Sequence, residues 1–133
     1  MIKKFISIVF FLVTGLATSF ASDYLLSEFM PENQIKSKWG SEKFDENKFK
    51  SGTRDQKAKM AFDLIKSKKY VGKTNIEVFD SLGSLDGHYF SESIPAYVIG
   101  SMDEESLWQV VFLLKNDSRT IKAVKVHKKC CYK

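Results

Sequence analysis

Apolar and polar positions recur along this chain with two periods, and the change of period divides it. From about Arg54 to Lys68 the spacing is helical: Ala58, Ala61, Phe62 and Ile65 share one face, and Met60 and Leu64 form a second strip on the flank. Ser51 and Thr53 are candidate N-caps, and Lys66, Lys68 and Lys69 suit the C-terminal end of the helix dipole. The main face is expected on a sheet and the flank against another segment. A second, two-turn helix is specified at both ends. Thr74-Asn75-Ile76-Glu77 is a capping box, in which Thr74 caps the amide of Glu77 and Glu77 reaches back to the amide of Thr74. Gly83 stands where a left-handed residue closes a helix.

After Gly87 the period falls towards 2. Ala96–Ile99 is a short strand started by Pro95, Leu107–Leu114 (LWQVVFLL) is the strongest strand, and Arg119–His127 returns after the turn Lys115-Asn116-Asp117-Ser118. The phase of the last strand slips, and a bulge near Ala123 would repair it. Sequential strands with short links predict an α+β fold (α-α-β-β-β), with two helices packed on one face of a three-stranded antiparallel sheet.

The length of 133 residues fits one domain behind a leader. Lys3 and Lys4 precede the apolar run Phe5–Leu16, and Ser19-Phe20-Ala21 is a small-x-small cleavage pattern. The run is shorter than the roughly 20 apolar residues of a membrane span. A signal peptide over 1–21, cut after Ala21, is expected, with a soluble periplasmic product. Ser22 and Asp23 follow the cut rather than a cysteine, so a lipoprotein is not expected. Residues 22–50 read as an irregular N-terminal arm, in which Tyr24, Leu25, Leu26, Phe29 and Met30 could form a docking helix and Trp39, Phe44 and Phe49 are anchors. The folded domain is placed at 51–128, and 129–133 is a basic Cys-Cys tail.

Processing removes two lysines and no acid, so the net charge falls from +5 to +3. That excess is mild and, with export, excludes a nucleic-acid partner from the expectations. The basic residues cluster between Arg119 and Lys133 without an acid, which would suit weak contact with an anionic membrane surface.

Gly72-Lys73-Thr74 has the look of a phosphate-binding loop. That loop needs a glycine where Ser67 stands, and it follows a strand, whereas Gly72 follows a helix. No nucleotide or other cofactor is expected. Asp86 and Ser84 lie near His88 only within a turn, which does not hold a catalytic triad. His127, Cys130 and Cys131 are three soft-metal ligands where a closed zinc site wants four. Cys130 and Cys131 can instead form a strained vicinal disulfide or pair between chains. Asp103-Glu104-Glu105 lacks the spacing and glycine of a calcium loop.

Gly72-Lys73-Thr74, Glu77-Val78, Leu82-Gly83, the Tyr97–Gly100 strand and Trp108–Leu114, with Phe44-Asp45, Arg54, Met60 and Asp63-Leu64-Ile65, carry a resemblance. Over about Phe44 to Val126 the chain resembles the SmpA/OmlA (BamE-like) superfamily, in particular small exported bacterial proteins with the β-lactamase inhibitory protein-like fold. The resemblance implies two helices on a three-stranded antiparallel sheet. It also implies protein–protein interaction in the cell envelope rather than catalysis. The better-known members are lipoproteins of the machinery that assembles outer-membrane β-barrels, and this chain departs from them in lacking the lipidated cysteine.

Two functions are therefore expected in competition. One is a non-enzymatic interaction or assembly module, binding an envelope protein or a second copy of itself. The alternative is a small metal-handling or redox protein using His127, Cys130 and Cys131. The central strand points to the first. Trp108, Val110, Phe112 and Leu114 alternate with Leu107, Val111 and Leu113, so both sheet faces carry apolar side chains. Two helices cover one face. The arm, a second subunit or a partner is expected to cover the other, with Leu107, Trp108, Val110 and Val111 as the candidate partner-binding residues.

Overall fold

A computed structural model describes residues 29–101 and 106–129. The expectations for the leader, for Tyr24–Leu26, for the carboxylates at 103–105 and for Cys130 and Cys131 lie outside the described residues. Among those described, four helices precede three strands: α1 (Glu32–Trp39), α2 (Glu46–Ser51), α3 (Arg54–Ser67), α4 (Asn75–Leu82), β1 (Ala96–Ile99), β2 (Leu107–Leu114) and β3 (Ile121–Lys129). The strands form one antiparallel sheet in the order β1-β2-β3. The fold is α+β, with the strand boundaries at 96–99 and 107–114 where the alternation places them. The bulge is there too: pairing passes from Leu113 opposite Ala123 to Leu114 opposite Ile121, which leaves Lys122 without a partner residue. None of the described helices is long and apolar enough to cross a membrane.

The pleat sorts the sheet residues. Tyr97 and Ile99, Trp108, Val110, Phe112 and Leu114, and Ile121, Val124 and Val126 share the face that meets the helices. Helix α3 opens with a complete capping box, in which the Thr53 amide donates to Gln56 Oε1 at 2.8 Å and the Gln56 amide to Thr53 Oγ1 at 3.3 Å. Its two strips differ from the expected order of depth. Met60 and Leu64, read as the flank, are buried, while Phe62 is half-buried between the ammonium groups of Lys36 and Lys66. A flank becomes core when neighbouring elements close over it.

The arm is where the structure corrects the sequence reading most. It is not irregular, and from residue 32 onward it folds as α1 and α2. Pro31 and Glu32 start α1 and Gly40 ends it, while Ile35 and Trp39, four apart, face inward. Helix α2 has only six residues, too few to persist alone. Asp45 caps it by accepting from the Lys48 amide at 2.9 Å, and Phe49 anchors it in full burial. Phe49 is one of five rings in a closed circuit, Phe44–Phe49–Tyr97–Phe112–Tyr70, with neighbouring centroids 5.7–6.0 Å apart. Four of the five contacts, all but Phe44–Phe49, are edge-on, and such pairs add about 0.5–1.5 kcal/mol each beyond the area they bury.

The tyrosines in that circuit send their hydroxyls to its rim. Tyr70 donates to Glu46 Oε1 at 2.8 Å, and Tyr97 donates to the Gly83 carbonyl at 2.7 Å. Burial raises both phenols well above the ordinary tyrosine value, helped by the Glu46 hydrogen bond at Tyr70 and by the Asp86 charge at Tyr97. The unfolded chain releases these protons near pH 10 and the folded chain keeps them, so stability should fall as pH rises past about 10. Denaturation midpoints measured across that range should drop less steeply in Tyr70→Phe than in the parent. Equal slopes would show that Tyr70 is not the linked group.

Helix α4 is capped as its spacing predicts, with the Glu77 amide donating to Thr74 Oγ1 at 3.2 Å and the Thr74 amide to Glu77 Oε2 at 2.7 Å. Gly83 ends it at φ 89° and ψ −175°. The positive φ is as expected, but ψ is extended rather than left-handed helical, a region open essentially to glycine alone. Thr74→Ala should cost about 1 kcal/mol. Gly83→Ala should cost about 1–3 kcal/mol through backbone strain. A Cβ there would meet only Lys50 carbons at 3.7 Å and beyond, so steric overlap adds little. Thermal midpoints check both, and a Gly83→Ala protein as stable as the parent would refute the strain argument.

Candidate functional site

The four residues read as a partner surface do not share one. Trp108 and Val110 point to the helices, where Trp39 packs edge-on to Trp108 at 6.0 Å and Val110 is 0% exposed. Leu107 and Val111 lie on the opposite face, and Val111 is also 0% exposed. The arm reaches that second face only through Phe29, against His127, since Ile35, Phe49, Trp39 and Phe44 all serve the first. The cover is the connection between α4 and β1, residues 83–95. Sequence reasoning treated it as a plain loop.

Gln109 fastens this loop. It projects from the middle of β2 on the second face and is 0% exposed. Its Oε1 accepts from the His88 amide at 2.9 Å, and its Nε2 donates to the His88 carbonyl at 2.7 Å, so the side-chain amide pairs with the backbone as a strand would. The remaining Nε2 hydrogen points to His127 Nδ1 at 3.0 Å. Because an amide nitrogen only donates, Nδ1 accepts, and the neutral ring carries its proton on Nε2. The contact leaves no room for a side chain at residue 87: a Cβ on Gly87 would fall 2.5 Å from Gln109 Oε1. Beyond the clamp, Tyr89 packs edge-on to His127 at 4.8 Å, with Phe29 5.8 Å from the same imidazole.

The loop then turns sharply. Tyr89 and Ser91 bridge each other, the Ser91 amide donates to the Tyr89 carbonyl at 2.6 Å, and Phe90 at the tip has φ 58°. Phe90 is 82% exposed. A bulky residue at positive φ is strained, and this ring stays mostly in water, with one edge-on ring contact, to Tyr89 at 4.6 Å. Past the tip, Ser91, Ser93 and Ile94 with Leu113, Leu114, Lys115, Ser118 and Lys122 line an open groove of about 290 Å³ at the turn end of the sheet.

Both sheet edges are partly covered against strand addition. Along β1, the Asp86 and Gly87 amides donate to the Ala96 carbonyl and the Asp86 carboxylate accepts from the Val98 amide at 2.8 Å. Along β3, the Met30 amide reaches the Val126 carbonyl at one end. At the other, the Gly72 amide reaches the Ile121 carbonyl, and the Ile121 amide in turn reaches the Lys73 carbonyl. Gly72-Lys73-Thr74 thus serves as an edge cover. Edges covered in this way resist pairing with another chain.

The remaining chemistry is modest. No group of three or more His, Cys, Asp or Glu residues able to hold a metal occurs among the described residues. One nitrogen of His127 is committed to Gln109, and its two cysteine companions lie outside the described residues. The sequence holds a signal for the Gln109 clamp that alternation alone misses, namely a lone amide inside an otherwise apolar strand. No protein-family model, curated protein or solved structure matches the chain.

Proposed function

We propose that this chain is a non-enzymatic, exported protein-interaction or assembly module of a bacterial cell envelope, acting from the periplasm after a signal peptide is cut behind Ala21. The resemblance to the SmpA/OmlA superfamily motivates the setting. The observation that carries the reading is Phe90, a large ring exposed at strained positive φ on a loop that Gln109 fixes to the second sheet face. With both edges partly covered, a partner meets side chains on this face in preference to pairing with backbone. Its occupant is an envelope protein or a second copy of the chain.

A photo-crosslinking residue at position 90 is expected to trap one discrete partner in cells, while the same group at Lys59 on α3 traps none. With the photo-crosslinking group moved to the exposed position Glu92, Phe90→Asp should abolish that product and leave the thermal midpoint unchanged. A crosslink equally strong from both positions, or none from position 90, would refute the reading.

A further inference from the structure

We infer that the groove at the turn end of the sheet takes an extended acidic segment of a partner protein, with its apolar side chains on the groove floor and its carboxylates towards Lys115 and Lys122. This deepens the interaction reading above and rests on it. Ile94 and Leu113 supply apolar surface among the serines of the lining, while Lys115 and Lys122 are exposed where they line it. Lys122 stands there because of the bulge. It is the residue left unopposed between Ala123 and Ile121, and an extra residue of this kind re-aims its side chain out of the regular alternation.

The carboxylates nearby are already engaged. Asp117 Oδ1 accepts from the Arg119 and Thr120 amides at 2.9 Å each, and Oδ2 accepts from Thr120 Oγ1 at 2.6 Å. These bonds hold its carboxyl down at about 2, so it remains an anion serving the turn, though it also attracts Lys115. Asp117 keeps its full charge, so the positive excess at the rim comes from Lys115 and Lys122 themselves, neither of which forms an ion pair with a carboxylate among the described residues, with Arg119 near them in sequence. Asn75 Nδ2 donates to the Ser93 carbonyl at 3.0 Å and so ties this wall of the groove to the start of α4. An extended strand presents alternate side chains to opposite faces, which matches apolar surface beneath a basic rim. The covered edges direct such a segment across the face rather than beside it.

The test is fluorescence anisotropy of the mature chain with a labelled synthetic peptide alternating Glu with Leu, set against one alternating Lys with Leu. The Glu peptide should bind, weaken with added salt, and lose about tenfold in affinity to a protein carrying Lys115→Glu and Lys122→Glu whose thermal midpoint is unchanged. Equal affinity for the two peptides, or for the two proteins, would overturn the inference. So would binding to phosphatidylglycerol vesicles that the Glu peptide does not displace, which would assign the basic rim to a bilayer. If the position-90 crosslink survives in the doubly substituted protein, only the groove inference falls. If the parent gives no crosslink, the interaction reading falls with it.

Discussion

Gln109→Leu is expected to destabilise the protein by about 2–3 kcal/mol and to free the loop it holds. The substitution keeps the apolar volume of a fully buried side chain and deletes both of its bonds to His88 and the contact with His127 Nδ1. A buried donor or acceptor left without a partner costs about 1–3 kcal/mol, and two backbone groups of His88 lose theirs together. Part of that is recovered as water reaches the loosened loop. The readout is a lower urea midpoint at unchanged slope, with faster amide exchange across residues 86–98 than in β2. A loss under about 0.5 kcal/mol would mean that the loop is held by other contacts and that Gln109 is incidental. Because Phe90 rides on the same loop, the variant should also lose the crosslinked partner that Phe90→Asp loses, this time through disorder of the tip rather than loss of the ring.

Phe49→Ala is expected to cost about 3–5 kcal/mol, enough to leave a small domain near its unfolding threshold. The ring is 0% exposed and closes the aromatic circuit between Phe44 and Tyr97, with the ammonium of Lys57 over it at 5.5 Å. Its loss removes the only fully buried side chain of a six-residue helix that cannot stand alone. The same argument says that a chain starting at Thr53 will not fold. A truncated protein with a cooperative thermal transition would restore the view of residues 22–50 as a detachable arm.

These two residues show what the sequence made legible and what it did not. Regular elements could be read because their signals are local. The candidate N-cap at Thr53, the capping box at Thr74 and the alternation through β2 each rest on residues close in sequence. So does the slip of phase that foretold the bulge beside Ala123. The arm was misread because its helices are too short for periodicity to declare them, although Pro31, Glu32 and Gly40 do mark α1 and Asp45 marks α2. The second sheet face was misjudged for a different reason. Its cover comes from residues 83–95, whose own pattern is loop-like, and what binds them is one amide side chain reaching a backbone 21 residues away. Parity showed that Leu107 and Val111 oppose Trp108 and Val110, but only tertiary structure tells which side the helices take and which residues remain exposed.

The meeting of Phe29 with His127 sets an order on the birth of this fold. Phe29 bridges His127, and the neighbouring Met30 amide bonds to the Val126 carbonyl, so almost the whole described chain separates the two strands of that contact. A chain made N-terminus first delivers Phe29 long before His127. Helices α1 to α4 and the hairpin of β2 and β3 can form from neighbours already delivered, whereas this seam waits for β3. Until it closes, the outer rim of β3 near Val126 stays bare, and the folding protein is most adhesive in that interval. Slowing the arrival of the last strand should therefore raise aggregation far more than slowing the arrival of the helices.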